Sequence, residues 1–483
     1  MGTTAREFVD LLAAAGQKLW QVLPLNPTGY GDSPYQGFSA FAGNPLLIDL
    51  EALQKCGFLA AAELPQPPAA LSDRVDYGWV IDFKLAALRR AAEGFFSTGS
   101  SAQLKEFGSF CDQNSAWLDD YALFMACKEA HGGVVWTSWK PGLRRRDPAT
   151  LREWSANLAA TVRTFKYWQF EFFRQWEILK NYCHQSGVSV MGDVPIYVAH
   201  DSADVWAHPE LFQLDERGVP MVVAGVPPDY FSATGQLWGN PIYRWDALAA
   251  SGYAWWVERF RASLRLFDSA RLDHFRGFEG YWEVPAGALT AAGGKWVKGP
   301  GAQFFRAMQA ELGVLPIVAE NLGVLTPEVE DIRKEFGFPG MSILQFAFGN
   351  DPQGPSFRPH NYEHEVVAYT GGHDNDTTVG WWTSCGNGDS TRTAEDIRKE
   401  REFAQAYLGF RDEPIHWVFI RAVLASVADT AMVPLQDVLG LGSEARMNLP
   451  GSIGGNWKWR FRRGAITNEI CERLRTLTRI YDR

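Results

Sequence analysis

Arg259-Phe260-Arg261-Ala262-Ser263-Leu264-Arg265-Leu266-Phe267-Asp268-Ser269-Ala270-Arg271-Leu272-Asp273-His274-Phe275-Arg276-Gly277 is the stretch that decides the fold. Its first half, Arg259 to Phe267, carries a helical pattern, and Ser269 to Phe275 then reads as a buried strand that opens into a polar, Gly-containing turn. Strand after helix, repeated, builds a parallel sheet. The same rhythm extends outward in both directions. Strand candidates occur at Leu19 to Leu25, Val188 to Val198, Leu315 to Leu322, Gly340 to Phe348, Val366 to Tyr369 and Ala431 to Leu435. Ala302 to Leu312 and Pro327 to Phe336 read as intervening helices, the second with Thr326 as cap and Pro327 at its first position. Seven such strands over this length favour an α/β fold of the (β/α)8 TIM-type barrel over an open, doubly wound sheet, although periodicity alone leaves both open.

Two stretches interrupt the rhythm. Residues 27–164 hold a Pro-rich piece, Leu64-Pro65-Gln66-Pro67-Pro68, and then mostly helical patterns, which predicts a helical insertion after the first visible strand. Residues 200–250, with the Gly-, Pro- and aromatic-rich His208 to Tyr243, read as an insertion of loops over a cleft. The whole of 1–483 is then one catalytic barrel unit. The chain opens on a helix, Thr4 to Ala15, closed by Gly16. Because a barrel helix follows a strand, the expectation is that the first barrel strand is missing from this sequence.

Composition narrows the function. The 483 residues carry a formal charge of -10 with a pI of about 5.5. Acidic and basic residues are interspersed, so neither nucleic acid nor an anionic membrane is an expected partner. No signal-peptide core or membrane-spanning run is present, and Cys56, Cys111, Cys127, Cys183, Cys385 and Cys471 lack metal-ligand spacing. A soluble, cytoplasmic protein with reduced thiols and no metal or cofactor is expected. Twenty Trp and 14% aromatics suit sugar stacking as well as a core.

Three acids stand at the carboxyl ends of strand candidates: Asp273, Glu320 and Asp374. Arg271 falls on the same side of its strand as Asp273, and a guanidinium there favours the ionised carboxylate that a nucleophile needs. Glu320 lies between Ala319 and Asn321-Leu322, where an apolar setting would raise its pKa and keep a proton available. Asp374 lies in the polar turn Tyr369 to Thr378. Each has an ordinary explanation as an ion pair, a turn acid or a helix cap. Together, on the face of a barrel where active sites lie, they meet the demands of retaining glycoside cleavage, with two carboxyl groups about 5 Å apart and a further anionic group.

The strings Trp20-Gln21-Val22-Leu23-Pro24-Leu25, Gly31-Asp32-Ser33-Pro34-Tyr35-Gln36, Gly192-Asp193-Val194-Pro195-Ile196-Tyr197-Val198, Arg271 to Gly277, Ala319-Glu320-Asn321-Leu322-Gly323 and His373-Asp374-Asn375-Asp376 occur in this order. In that order the chain closely resembles the 4-α-glucanotransferases, the amylomaltase or disproportionating-enzyme family (glycoside hydrolase family 77), from about Ala5 to its end. The resemblance implies Asp273 as nucleophile, Glu320 as acid/base and Asp374 as transition-state stabiliser. It implies support from Arg271 and His373, and a place for Asp193 near the donor sugar. Gly235-Gln236-Leu237-Trp238-Gly239-Asn240-Pro241 resembles the family's loop over the cleft, with Gln236 and Trp238 meeting sugar. Arg446 to Gly451 and Asn456-Trp457 resemble a second, donor-binding loop, with Asn448 and Trp457 as the binding residues, and Tyr35 is a further candidate platform. The expected partners are α-1,4-glucans, maltooligosaccharides and glucose. An α-amylase-type hydrolase and a truncated, non-catalytic glucan-binding protein are the competing expectations.

Overall fold

The computed structural model describes all residues except 65–72, 229–231, 233, 324, 387–391 and 453. The core of the Pro-rich piece, Pro65 to Pro68, thus lies outside the described residues. Eleven strands are described: β1 (Leu19–Gln21), β2 (Ser189–Val194), β3 (Val222–Val226), β4 (Gln236–Pro241), β5 (Ser269–Leu272), β6 (Gly280–Pro285), β7 (Lys295–Lys298), β8 (Ile317–Ala319), β9 (Gly340–Ile343), β10 (Val366–Tyr369) and β11 (Thr430–Met432). Seven of them, β1, β2, β5, β8, β9, β10 and β11, coincide with the seven runs read from the sequence.

Those seven are parallel and lie in chain order. The pairings β1-β2-β5-β8 and β9-β10-β11 form two ladders. The Ala319 N–H donates to the Pro339 carbonyl at 2.8 Å and the Met341 N–H to Asn321 Oδ1 at 2.8 Å, stitching β8 to β9. A doubly wound sheet would reverse its strand order at a switch point. This one never reverses, which is the singly wound order of a barrel. Met191, Val318, Met341, Ile343, Val367 and Tyr369 pack in one interior cluster, with Leu19 and Met432 from the two end strands against it. The Tyr369 hydroxyl donates to Gln21 Oε1 at 3.0 Å, so β10 reaches back to β1. Among the described residues, no backbone pairing joins β11 to β1.

Each buried strand is too apolar to stand in water, and helices cover the outside. The helix Ala159–Gln185 runs back to β2, Ala254–Leu266 precedes β5, Ala302–Leu312 precedes β8 and Pro327–Glu335 precedes β9. Thr326 takes the N-cap position of the last, with Pro327 following, but its hydroxyl makes no bond to the helix backbone. Close packing of the helix-to-β5 turn on the sheet depends on Gly192 in β2, where a Cβ would stand 2.1 Å from the ring of Phe267, the extended residue that follows the helix. Between β1 and β2 the chain is mostly helical, including Tyr77–Thr98, Ser101–Gln113 and Ser115–Ala130.

The irregular reading of His208 to Tyr243 is corrected in part. This stretch contributes β3 and β4 to a second, antiparallel sheet ordered β4-β3-β6-β7. Glycines and prolines hid those strands: the register shifts between Val223 and Gly225, and a Cβ at Gly225 would meet the Gln236 carbonyl at 2.5 Å.

Candidate active site

Parallel pairing sets the first two acids side by side. The Asp273 N–H donates to the Val194 carbonyl, and the Glu320 N–H to the Leu272 carbonyl, so each acid sits one residue past its strand at the carboxyl end of the sheet. Beneath them lies Arg271, which is buried on β5. Its Nη1 donates to both Asp193 oxygens, at 2.9 and 2.7 Å, and its Nη2 lies 3.0 Å from Asp273 and 4.0 Å from Glu320. One guanidinium therefore faces three carboxylates.

The electrostatics separate these two acids. Burial is the largest influence on Glu320 and raises its pKa to about 8, against the lowering effects of Arg271 and of the His274 and Leu322 N–H groups that donate to it at 2.7 and 3.1 Å. The rise is in the direction expected from the sequence, but its cause is burial among polar partners rather than an apolar setting. For Asp273, burial also comes first, lifting it to about 6 in spite of the adjacent Arg271. The guanidinium restrains the rise without reversing it. Between these two values Asp273 is charged while Glu320 keeps its proton, the pairing that a nucleophile and a general acid require.

Asp374 lies beyond β10 in a turn held from below. The Thr370 and Thr378 hydroxyls both donate to buried Asp437, at 2.6 and 2.7 Å, and Gln345 Nε2 donates to the Asp376 carbonyl. Asp374 itself is half exposed to the cleft, accepts from Asn448 Nδ2 at 2.6 Å and lies 3.4 Å from His373 Nε2. His373 stacks on Tyr35 at 5.2 Å, and Trp457 closes the group at 5.6 Å from Tyr35 and 5.9 Å from His373. The expected residues Tyr35, His373, Asn448 and Trp457 thus form one wall with Asp374. Gln236 and Trp238 stand elsewhere, on β4, joined by a Trp238 Nε1 to Gln236 Oε1 bond of 3.1 Å.

All of these line one cleft of about 1920 Å³ except Asp193. Asp193 is buried in the floor, with its oxygens taken by Arg271 and by the Tyr35 hydroxyl at 2.7 Å. It orients two residues that face the cleft.

The sequence reading missed His274. Its backbone takes the left-handed conformation, φ 47°, which aims its N–H at Glu320, while its ring meets Trp238 edge-on at 4.8 Å. Burial pushes the imidazole down to about 3, so it is neutral. A non-glycine left-handed residue carries no sequence signal of its own; the position beside Asp273 was the only hint.

Comparison with known proteins shows the family. The family model described as 4-alpha-glucanotransferase matches residues 1–467. The 4-alpha-glucanotransferase of Thermus thermophilus is 49% identical, covering 100% of this chain and 95% of that protein, and that of Synechocystis is 50% identical, covering 100% and 94%. Amylomaltase from Streptococcus agalactiae in complex with acarbose superposes with a TM-score of 0.93 at 37% identity, covering 100% of this chain and 95% of that one. With the match running through every segment that builds the cleft, the chain belongs to the 4-alpha-glucanotransferase family.

Proposed function

We propose that Asp273, Glu320 and Asp374 carry the transfer reaction of this chain by double displacement. The chain is a 4-α-glucanotransferase acting on α-1,4-glucans and maltooligosaccharides. Glu320 gives its proton to the glycosidic oxygen as Asp273 attacks C1, which breaks the C1–O bond and leaves a β-glucosyl ester on Asp273. Glu320, now a carboxylate, takes the proton from the 4-hydroxyl of an incoming glucan as that oxygen displaces Asp273. Asp374, fixed by Asn448 and His373, stabilises the positive charge that develops at C1 and the ring oxygen. Tyr35 and Trp457 hold the donor sugar, and Gln236 and Trp238 cover the cleft and favour an acceptor sugar over water.

The observation that carries this reading is the Arg271 hub, which sets Asp273 and Glu320 beside one guanidinium at 3.0 and 4.0 Å. Among the described residues, no helix is long and apolar enough to cross a membrane, and we place the protein in the cytoplasm. Residues 27–164 and 200–250 serve in this reading as insertions that wall and cover the cleft of a single catalytic unit.

Incubation with maltotriose tests the assignment. The wild-type protein yields glucose and a ladder of longer maltooligosaccharides, and Asp273→Asn slows this roughly 10⁴-fold. A variant at wild-type rate overturns the nucleophile assignment. Glucose and maltose alone would mean hydrolysis, and no product at all a binding protein.

A further inference from the structure

The antiparallel sheet presents exposed apolar side chains to the catalytic cleft. Leu237 on β4 is 40% exposed, Leu289 97% and Trp296 on β7 42%, and all three line the same cleft as Asp273 and Glu320. Single exposed apolar residues are ordinary; three from one sheet and its β6–β7 connection, all lining the cleft, point to a use. Trp296 is also held in place. The Arg276 guanidinium lies 3.7 Å from its ring centroid, and Trp282 meets it edge-to-face at 5.2 Å, itself anchored by an Nε1 bond of 2.8 Å to the Ala291 carbonyl. Arg276 lies three residues past Asp273 in the same turn, so the ring is tied to the catalytic turn.

The chemistry says which sugar this wall faces. The group that protonates the leaving oxygen must stand on the leaving-group side of the scissile bond, and the acceptor enters from that side. Glu320 accepts the His274 N–H, and the His274 ring touches Trp238 of β4 at 4.8 Å. The antiparallel sheet therefore walls the acceptor side, whereas Asp374, Tyr35 and Trp457 wall the other.

We propose that Trp296, braced by Arg276, is a stacking platform for an outer glucosyl unit of the acceptor chain and so favours maltooligosaccharides over glucose as acceptors. The proposal rests on Glu320 being the acid/base. In this proposal glucose fills only the subsite next to the bond and does not reach the platform.

The test compares labelled glucose with labelled maltotriose as acceptors, at a fixed excess of a long α-1,4-glucan donor, in Trp296→Ala and Trp296→Phe. The expected result is that Trp296→Ala raises KM for maltotriose about fivefold more than KM for glucose, while Trp296→Phe, which keeps a ring, recovers most of the difference. The glucose reaction serves as the check that the active site is assembled. An equal change for both acceptors, or none for either, overturns the platform. Failure of the underlying assignment shows up separately, as a Glu320→Gln protein that still transfers to both acceptors at wild-type rate.

Discussion

Arg271 has more to hold than a surface arginine: it is buried and faces Asp193, Asp273 and Glu320 together. Removing it leaves carboxylates buried without a counter-charge. Arg271→Met is therefore expected to cost about 3 kcal/mol of folding stability, measurable by denaturant titration. Its catalytic signature is separate. In the intact protein, activity is expected to rise with pH as Asp273 ionises near 6 and to fall as Glu320 loses its proton near 8. Arg271 lowers both values, so its loss raises both, and the whole bell in kcat/KM moves to higher pH; a variant with unmoved limbs would contradict the hub. The sequence showed the three acids and Arg271, because strand alternation puts Arg271 and Asp273 on one side. It could not show that Asp193 faces the floor, since a strand-end Asp has the same pattern whether its partner is a sugar hydroxyl or a buried arginine. Nor could it show the left-handed backbone that aims the His274 N–H at Glu320.

At the level of elements, legibility followed periodicity. The seven parallel strands are short, mostly apolar runs, and helices stand between most of them, so both periods stood out. β3 and β4 did not, because their glycines and a register shift break the alternation, and the cost of those irregularities is met only by pairing with β6, far along the chain. The packing of helix on sheet carries its own prediction. With a Cβ at residue 192 placed 2.1 Å from the Phe267 ring, Gly192→Ala should lower stability by about 2 kcal/mol through overpacking. Phe267→Leu in the same chain should recover part of that loss in thermal unfolding, and additive losses would show that the two positions do not press on each other.

Across the whole molecule, the cleft continues from the carboxylates past Trp20 and Met432 to residues of the helices Thr3–Ala14 and Asn468–Ile480, such as Phe8 and Leu474. The interspersed charges leave a neutral glucan to be bound by rings and hydroxyls. The parallel sheet that carries the acids runs from β1 to β11, with the Tyr369 to Gln21 bond, between residues 348 apart in sequence, spanning its interior. That arrangement makes the molecule unequal in its local unfolding. Among the described residues the ladder ends β1, β8, β9 and β11 pair with a strand on one side only, so opening one breaks half the ladder that a central strand loses. Amide hydrogens of β1 and β11 should accordingly exchange with solvent faster than those of β2, β5 and β10 in native-state hydrogen exchange, and uniform protection across these five would refute this. Of the three acids proposed to react, Asp273 and Asp374 follow β5 and β10, which are paired on both sides, while Glu320 follows β8, whose far side is held to the start of β9 by the Ala319 N–H bond to the Pro339 carbonyl. Opening is thereby concentrated at the ladder ends, and two of the three groups whose spacing the proposed reaction depends on are carried by strands that open last.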